Sequence, residues 1–124
     1  MSIDGLFRIK DLSIEDGTVK AVLSLDPDHP VYQGHFPGNP VTPGVCQIQI
    51  IKEMVSQVIE KPCTLINAKN IKFLKILQPQ EQQIILTLDY LQENDDIKVK
   101  ATLSAQETIF IKFSGTFQVS PLSR

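Results

Sequence analysis

GVCQIQIIKEMVSQVI, residues 44–59, is the stretch on which the fold turns. Val45, Ile48, Ile51, Val55, Val58 and Ile59 recur at steps of three and four, the spacing that gathers apolar side chains along one side of an α-helix. Pro62 ends the run, because its ring cannot continue a helix. Gln49 and Glu53 fall outside the apolar arc and four residues apart, so they stack on a second, polar face one turn from each other. The spacing predicts a helix from Gly44 to Ile59.

On its N-terminal side the texture changes. Pro27, Pro30, Pro37, Pro40 and Pro43 with Gly34, Gly38 and Gly44 occupy eight of the eighteen positions from 27 to 44. So many fixed φ angles and missing donors exclude a helix interior or a central strand, leaving a long shaped loop that carries Tyr32 and Phe36. Loops of this length inside a compact domain are usually functional or disordered, and this one, carrying aromatics and ending against a helix, reads as functional. Further upstream, Leu6, Ile9, Leu12 and Ile14 are mixed among charges as far as Asp16-Gly17, a two-residue hairpin signal. Val19, Ala21, Leu23 and Leu25 then alternate as a half-buried strand does. After Pro62 the period is two again: Thr64 to Phe73, Gln82 to Leu91, Ile97 to Ala105 and Thr108 to Val119 read as four strands. Glu93-Asn94-Asp95-Asp96 and Gln106-Glu107 are short enough to be hairpin turns. The order is ββ-loop-α-ββββ, an α+β layout in which an antiparallel sheet curls round one helix, as a single domain over residues 1–124.

Composition excludes several function classes. Twelve Lys+Arg against fourteen Asp+Glu give a formal charge of −2, without the basic excess that phosphate-backbone binding relies on, so nucleic acid is not an expected partner. Cys46 and Cys63 have neither metal-ligand spacing nor a disulfide framework around them, which fits a reducing cytoplasm. The N-terminus lacks a basic region followed by an apolar run, and no stretch approaches 18 apolar residues; neither export nor membrane insertion is expected.

The chemistry is concentrated in Gly34-His35-Phe36-Pro37-Gly38-Asn39-Pro40-Val41-Thr42-Pro43-Gly44-Val45. An imidazole in a rigid loop can accept a proton near neutral pH, and glycine lets a ligand approach the backbone. Free N–H groups at a helix start can hold a developing oxyanion. These three parts suit proton abstraction α to a thioester carbonyl; the alternative is that His35 merely pins the loop.

From Gln33 to Val45 the run resembles the signature of the 3-hydroxyacyl-(acyl carrier protein) dehydratases of fatty-acid synthesis, which have the hot-dog fold. Ala68-Lys69-Asn70-Ile71-Lys72-Phe73 is similar to that family's strand after the central helix. In its short length the chain is closer to compact members associated with aryl-polyene-type pathways. The resemblance implies a loop histidine that removes the C2 proton, here His35, and a helix-start N–H that holds the thioester oxygen, here Gly44. Val45, Phe36 and Pro43 are the accompanying substrate-binding positions. It further implies a homodimer with a shared site and, as partner, an acyl carrier protein bearing a phosphopantetheine thioester. The residues themselves call for no metal or redox cofactor, since the sequence has neither a ligand cluster nor a phosphate-binding glycine fingerprint. The family's acid, a helix carboxylate from the other subunit, falls on Gln49, an amide that cannot donate a proton as an acid. The family's glutamine one turn further falls on Glu53, which is either a relocated acid or an ordinary solvated glutamate.

Other residues have plainer readings. His29 reads as a solvated loop histidine whose loss should do little. Cys46 reads as a small buried side chain or a thiol with a lowered pKa at the helix start. Lys69, Lys72 and Lys75 form a basic strip, either a solvated face or a contact for an acidic carrier. Ile48, Ile51 and Val55 are core residues or the lining of an acyl tunnel. Three functions remain open: dehydratase, acyl-thioester hydrolase of the same fold with Gln49 holding water, or a non-catalytic acyl-binding subunit.

Overall fold

The computed structural model describes residues 3–33, 40–81 and 83–121. β1 (Phe7–Glu15) and β2 (Thr18–Leu25) form the first hairpin. Its turn residues Asp16 and Gly17 have φ of 51° and 80°, the sense of twist that two right-twisted strands require. A 3₁₀ turn (Pro30–Tyr32) precedes α1 (Gly44–Ile59), whose bounds are those the apolar spacing predicts. β3 (Cys63–Phe73), β4 (Ile84–Glu93), β5 (Asp96–Ala105) and β6 (Thr108–Val119) follow. β4 begins two residues later than expected; Gln82 lies outside the described residues. Glu60 closes α1 in the left-handed region at φ 61°, and its N–H and that of Lys61 both donate to the Ser56 carbonyl before Pro62 stops the chain.

The six strands make one antiparallel sheet in the order β1-β2-β4-β5-β6-β3. α1 covers one of its faces, packing chiefly on β3 and β6. This is the α+β arrangement expected from the order of elements, and the hot-dog fold that the resemblance implies. Leu23, Leu86, Leu88, Leu103 and Phe117 are fully buried from the sheet side, and Ile50, Ile51 and Met54 from the helix side. Burying side chains of this size, at about 1.5–3 kcal/mol each, is what holds the two layers together. β3 bulges twice, between Leu65 and Asn67 and between Ala68 and Asn70. Opposite it, a Cβ on Gly115 would come within 2.5 Å of the Asn67 carbonyl oxygen; only glycine lets the bulged strand approach this closely. No helix among the described residues is long and apolar enough to cross a membrane.

Two sequence readings need correction. The face of α1 that meets the sheet comprises Gln47, Ile50, Ile51, Met54 and Val55 with Cys46, and Val45, expected inside the arc, is 56% exposed. Residues two positions apart on a helix are separated by about 200°, so burying position 47 turns position 45 outward, into line with Gln49 and Glu53. Ile51 and Val55 are core, and Ile48 packs against its margin.

His29 is not solvated. It is 7% exposed and caps the 3₁₀ turn. Its Nδ1 accepts from the Val31 N–H at 3.0 Å, and its Nε2 lies 2.9 Å from the Asp4 carbonyl oxygen. A backbone N–H can only donate, so Nδ1 is the acceptor and Nε2–H donates to Asp4. The side chain thus ties the segment before β1 to the proline-rich segment. His29→Ala should lower unfolding stability by about 1–3 kcal/mol, because the cap is lost and the Asp4 carbonyl loses its donor. Chemical denaturation of the two proteins checks this; an unchanged midpoint would return His29 to the solvated reading.

Candidate active site

α1 starts where it does because Pro43 presets its own φ and offers no side-chain cap, while Gly44 is the first residue with helical hydrogen bonding. The Pro43 carbonyl accepts from both the Cys46 and Gln47 N–H groups, at 3.0 and 3.1 Å. Among the described residues no acceptor reaches the N–H groups of Gly44 and Val45. The first turn also carries no acidic side chain that would satisfy the positive end of the helix. Among the described residues, two backbone donors with a favourable dipole are therefore left for an anionic or polarised oxygen.

Gly44 lies close under the end of β3. A Cβ there would sit 2.6 Å from the ring of Phe73, so the last residue of the strand closes over the first residue of the helix. Phe73 itself is 53% exposed. With Val45, Leu74 and Ile76, all exposed, it forms an apolar rim beside the helix start, and β3 is an edge strand.

The segment that leads into Gly44 is fixed by Thr42, which is buried with every backbone and side-chain polar group engaged. Its N–H donates to the Leu77 carbonyl at 2.8 Å, its Oγ1 lies 2.9 Å from the Tyr32 hydroxyl, and its carbonyl accepts from Gln47 Nε2 at 3.1 Å. Tyr32 and Thr42 stand on either side of the loop, so their hydrogen bond joins its two ends. Burial pushes the Tyr32 hydroxyl above its ordinary pKa, so it stays protonated. Gln47 is 3% exposed and its Oε1 has no hydrogen-bond partner among the described residues. Such an orphan acceptor costs stability, and Gln47 is kept in the core by its bond to Thr42. Sequence reading assigned no role to Tyr32, Thr42 or Gln47. The i, i+3, i+4 relation of Gln47 to Ile50 and Ile51 was the signal that Gln47 points inward.

His35 and Phe36 lie outside the described residues. Pro43, Gly44 and Val45 adjoin one another at the helix start, with Gln49 and Glu53 on the same face as Val45. Gln49 is partly buried, its Oε1 fully so, whereas Glu53 is exposed. At 1.5 Å per residue, Gln49 stands about 7.5 Å and Glu53 about 13.5 Å along the axis from Gly44. Cys46 and Cys63 are buried thiols that form no disulfide, and burial raises both above their ordinary pKa. For Cys46, burial disfavours the thiolate, in keeping with its reading as a small buried side chain. No group of three His, Cys, Asp or Glu side chains among the described residues is placed to hold a metal ion.

Comparison with known proteins bears on the family and the fold. The model of the ApeI-like family, described as ApeI dehydratase, matches residues 11–114. The 3-hydroxyacyl-(acyl-carrier-protein) dehydratase FabZ of Rickettsia felis is 24% identical over 102 residues, covering 82% of this chain; the chain spans 66% of that relative's length. Among solved structures, the dehydratase heterocomplex ApeI:P of Xenorhabdus doucetiae superposes with a TM-score of 0.73 at 19% identity, over 90% of this chain and 96% of that one. A putative thioesterase from Ralstonia eutropha shares the fold with a TM-score of 0.65 at 15% identity, over 94% and 88% of the two chains.

Proposed function

Since this chain belongs to the ApeI-like family of dehydratases, we propose that it removes water from 3-hydroxyacyl thioesters carried on acyl carrier protein, in fatty-acid or polyene-type lipid synthesis in the cytoplasm. The observation that carries the reading is the pair of open N–H donors at Gly44 and Val45, uncapped and without a neighbouring acid, following the loop that holds His35.

In this mechanism the thioester oxygen accepts from the Gly44 N–H, with Val45, Pro43 and Phe36 around the substrate. His35 takes the C2 proton, and the electron pair moves into the carbonyl, whose growing negative charge the helix start stabilises. The C2–C3 double bond then forms as the C3–O bond breaks. The departing hydroxyl needs a proton that the Gln49 amide cannot supply. Gln49 instead orients the hydroxyl or a water by hydrogen bonding, and the proton returns to the departing hydroxyl from His35, directly or through that water. The family site is shared between two chains, and the exposed Val45 at the helix start with Phe73, Leu74 and Ile76 at and beyond the end of the edge strand β3 support a homodimer. There, Gln49 or Glu53 of one protomer faces His35 of its partner.

Product identity is the test. Incubation with a 3-hydroxyacyl thioester on carrier protein should give the 2-enoyl thioester with loss of one water and no free thiol. Release of free thiol would favour the hydrolase reading, for which a Gln49-bound water is also suited, and no reaction would favour a non-catalytic acyl-binding subunit.

A further inference from the structure

The face of the sheet turned away from α1 has a charge pattern that the proposed chemistry does not use. Two adjoining grooves of about 270 and 410 Å³ cross its outer side over β4, β5, β6 and β3. Lys72, Lys100 and Lys112 line the first; Lys69, Lys98 and Lys100 line the second. Asp89 is the one carboxylate in either lining, and its Oδ1 accepts from the Thr18 hydroxyl at 2.7 Å. Five lysines thus face one acid in a chain whose formal charge is −2.

These cations are poorly compensated from within. Lys98 pairs with Glu93 at 3.3 Å, but the other four have no ion pair among the described residues. Lys72 and Lys112 stand directly opposite each other in the β3–β6 register, where like charges destabilise a sheet. The adjacent Leu91 is 59% exposed and lines the second groove with Tyr90. Four neighbouring strands span about 14 Å, close to the 10–12 Å diameter of an α-helix with its side chains.

We infer that this outer face docks an acidic, amphipathic helix of a protein partner, its carboxylates meeting Lys72, Lys100 and Lys112 and an apolar side chain meeting Leu91. The identification of that partner as the acyl carrier protein rests on the function proposed above. Lysines act as point charges and suit clustered carboxylates. A nucleic acid would favour arginine forks, and no arginine lines either groove. Lys72 and Phe73 are consecutive in β3, and the Phe73 ring lies against Gly44. The basic face and the helix start therefore meet at the end of one strand.

The test uses Lys112→Glu and Lys100→Glu/Lys112→Glu, with direct calorimetric binding of purified carrier protein alongside turnover. In the double variant Kd for the carrier should rise at least tenfold and lose most of its salt dependence. KM for the carrier-borne substrate should rise in parallel, with kcat and turnover of a small soluble thioester unchanged. Lys112→Glu turns the like-charged pair with Lys72 into an opposite one, so its Tm should be no lower than that of wild type. Carrier Kd and KM unaffected by charge reversal would overturn the inference. So would carrier-independent, lysine-dependent binding of a single-stranded oligonucleotide, or a lysine-dependent self-association in sedimentation with no carrier binding. Lysine-dependent carrier binding without turnover would uphold the docking face and refute the dehydratase reading. Turnover of the small thioester without carrier binding would do the reverse.

Discussion

His35→Ala should lower kcat/KM for dehydration of a 3-hydroxyacyl thioester by about 10²–10⁴-fold, the usual consequence of removing a general base. The C2 proton becomes acidic only as charge passes to the thioester oxygen, so the base and the Gly44 N–H act on the same transition state. Histidine is suited to the step because its unperturbed range lies near neutrality. The structure sharpens the controls for this variant. Tyr32 and Thr42, on either side of the loop, hold each other at 2.9 Å, and Thr42 is anchored further by Leu77 and Gln47. The loop ends therefore have supports of their own, and His35→Ala should unfold at the wild-type midpoint. His29→Ala, by contrast, should lose stability while keeping its turnover per folded molecule. Turnover of His35→Ala within a few-fold of wild type, in a stopped-flow or product-formation assay, would refute the base assignment.

Gln49→Ala should reduce turnover by about 10–100-fold, whereas Glu53→Gln should leave it within about twofold, the first loss falling at the lower end of what positioned proton transfer supplies. The difference rests on burial. Gln49 has its Oε1 buried, as a group that orients a hydroxyl or a water must, while Glu53 projects from the exposed part of the same helix line. One helical turn, 5.4 Å, separates them, too far for one to take the other's place on an unshifted substrate. Gln49→Glu puts a carboxylate at the position of the family's acid and should preserve or raise activity. Three outcomes separate the possibilities. Damage from Glu53→Gln would make Glu53 the relocated acid. An inert wild type activated by Gln49→Glu would mean that the carboxylate was lost together with catalysis. An active wild type that tolerates both Gln49→Ala and Glu53→Gln would show that neither residue has the role given to it here.

What the sequence by itself determined was whatever depends on neighbours in the chain. The bounds of α1, the Asp16-Gly17 turn and the inward alternation of Val19, Ala21, Leu23 and Leu25 are set by helix period, turn residues and the two-residue pleat, which act over a few positions. The run from Gln33 to Val45 was legible for the same reason, as a contiguous motif opening a helix. Tertiary structure decided the rest. Which side of α1 is buried depends on how the sheet meets it, so Val45 faces outward and Gln47 inward, against the apolar arc read from spacing. His29 is buried through a bond to Asp4, 25 residues away. The support of the helix start by Tyr32, Thr42 and Gln47 needs two buried hydrogen bonds that hydropathy does not encode. The outer basic face joins Lys72 on β3 to Lys100 and Lys112 on β5 and β6, because cross-strand register places residues that are 28 and 40 positions apart along the chain on one surface. Sequence patterns report local geometry, whereas burial and charge neighbourhood are properties of the packed sheet and of the helix it encloses.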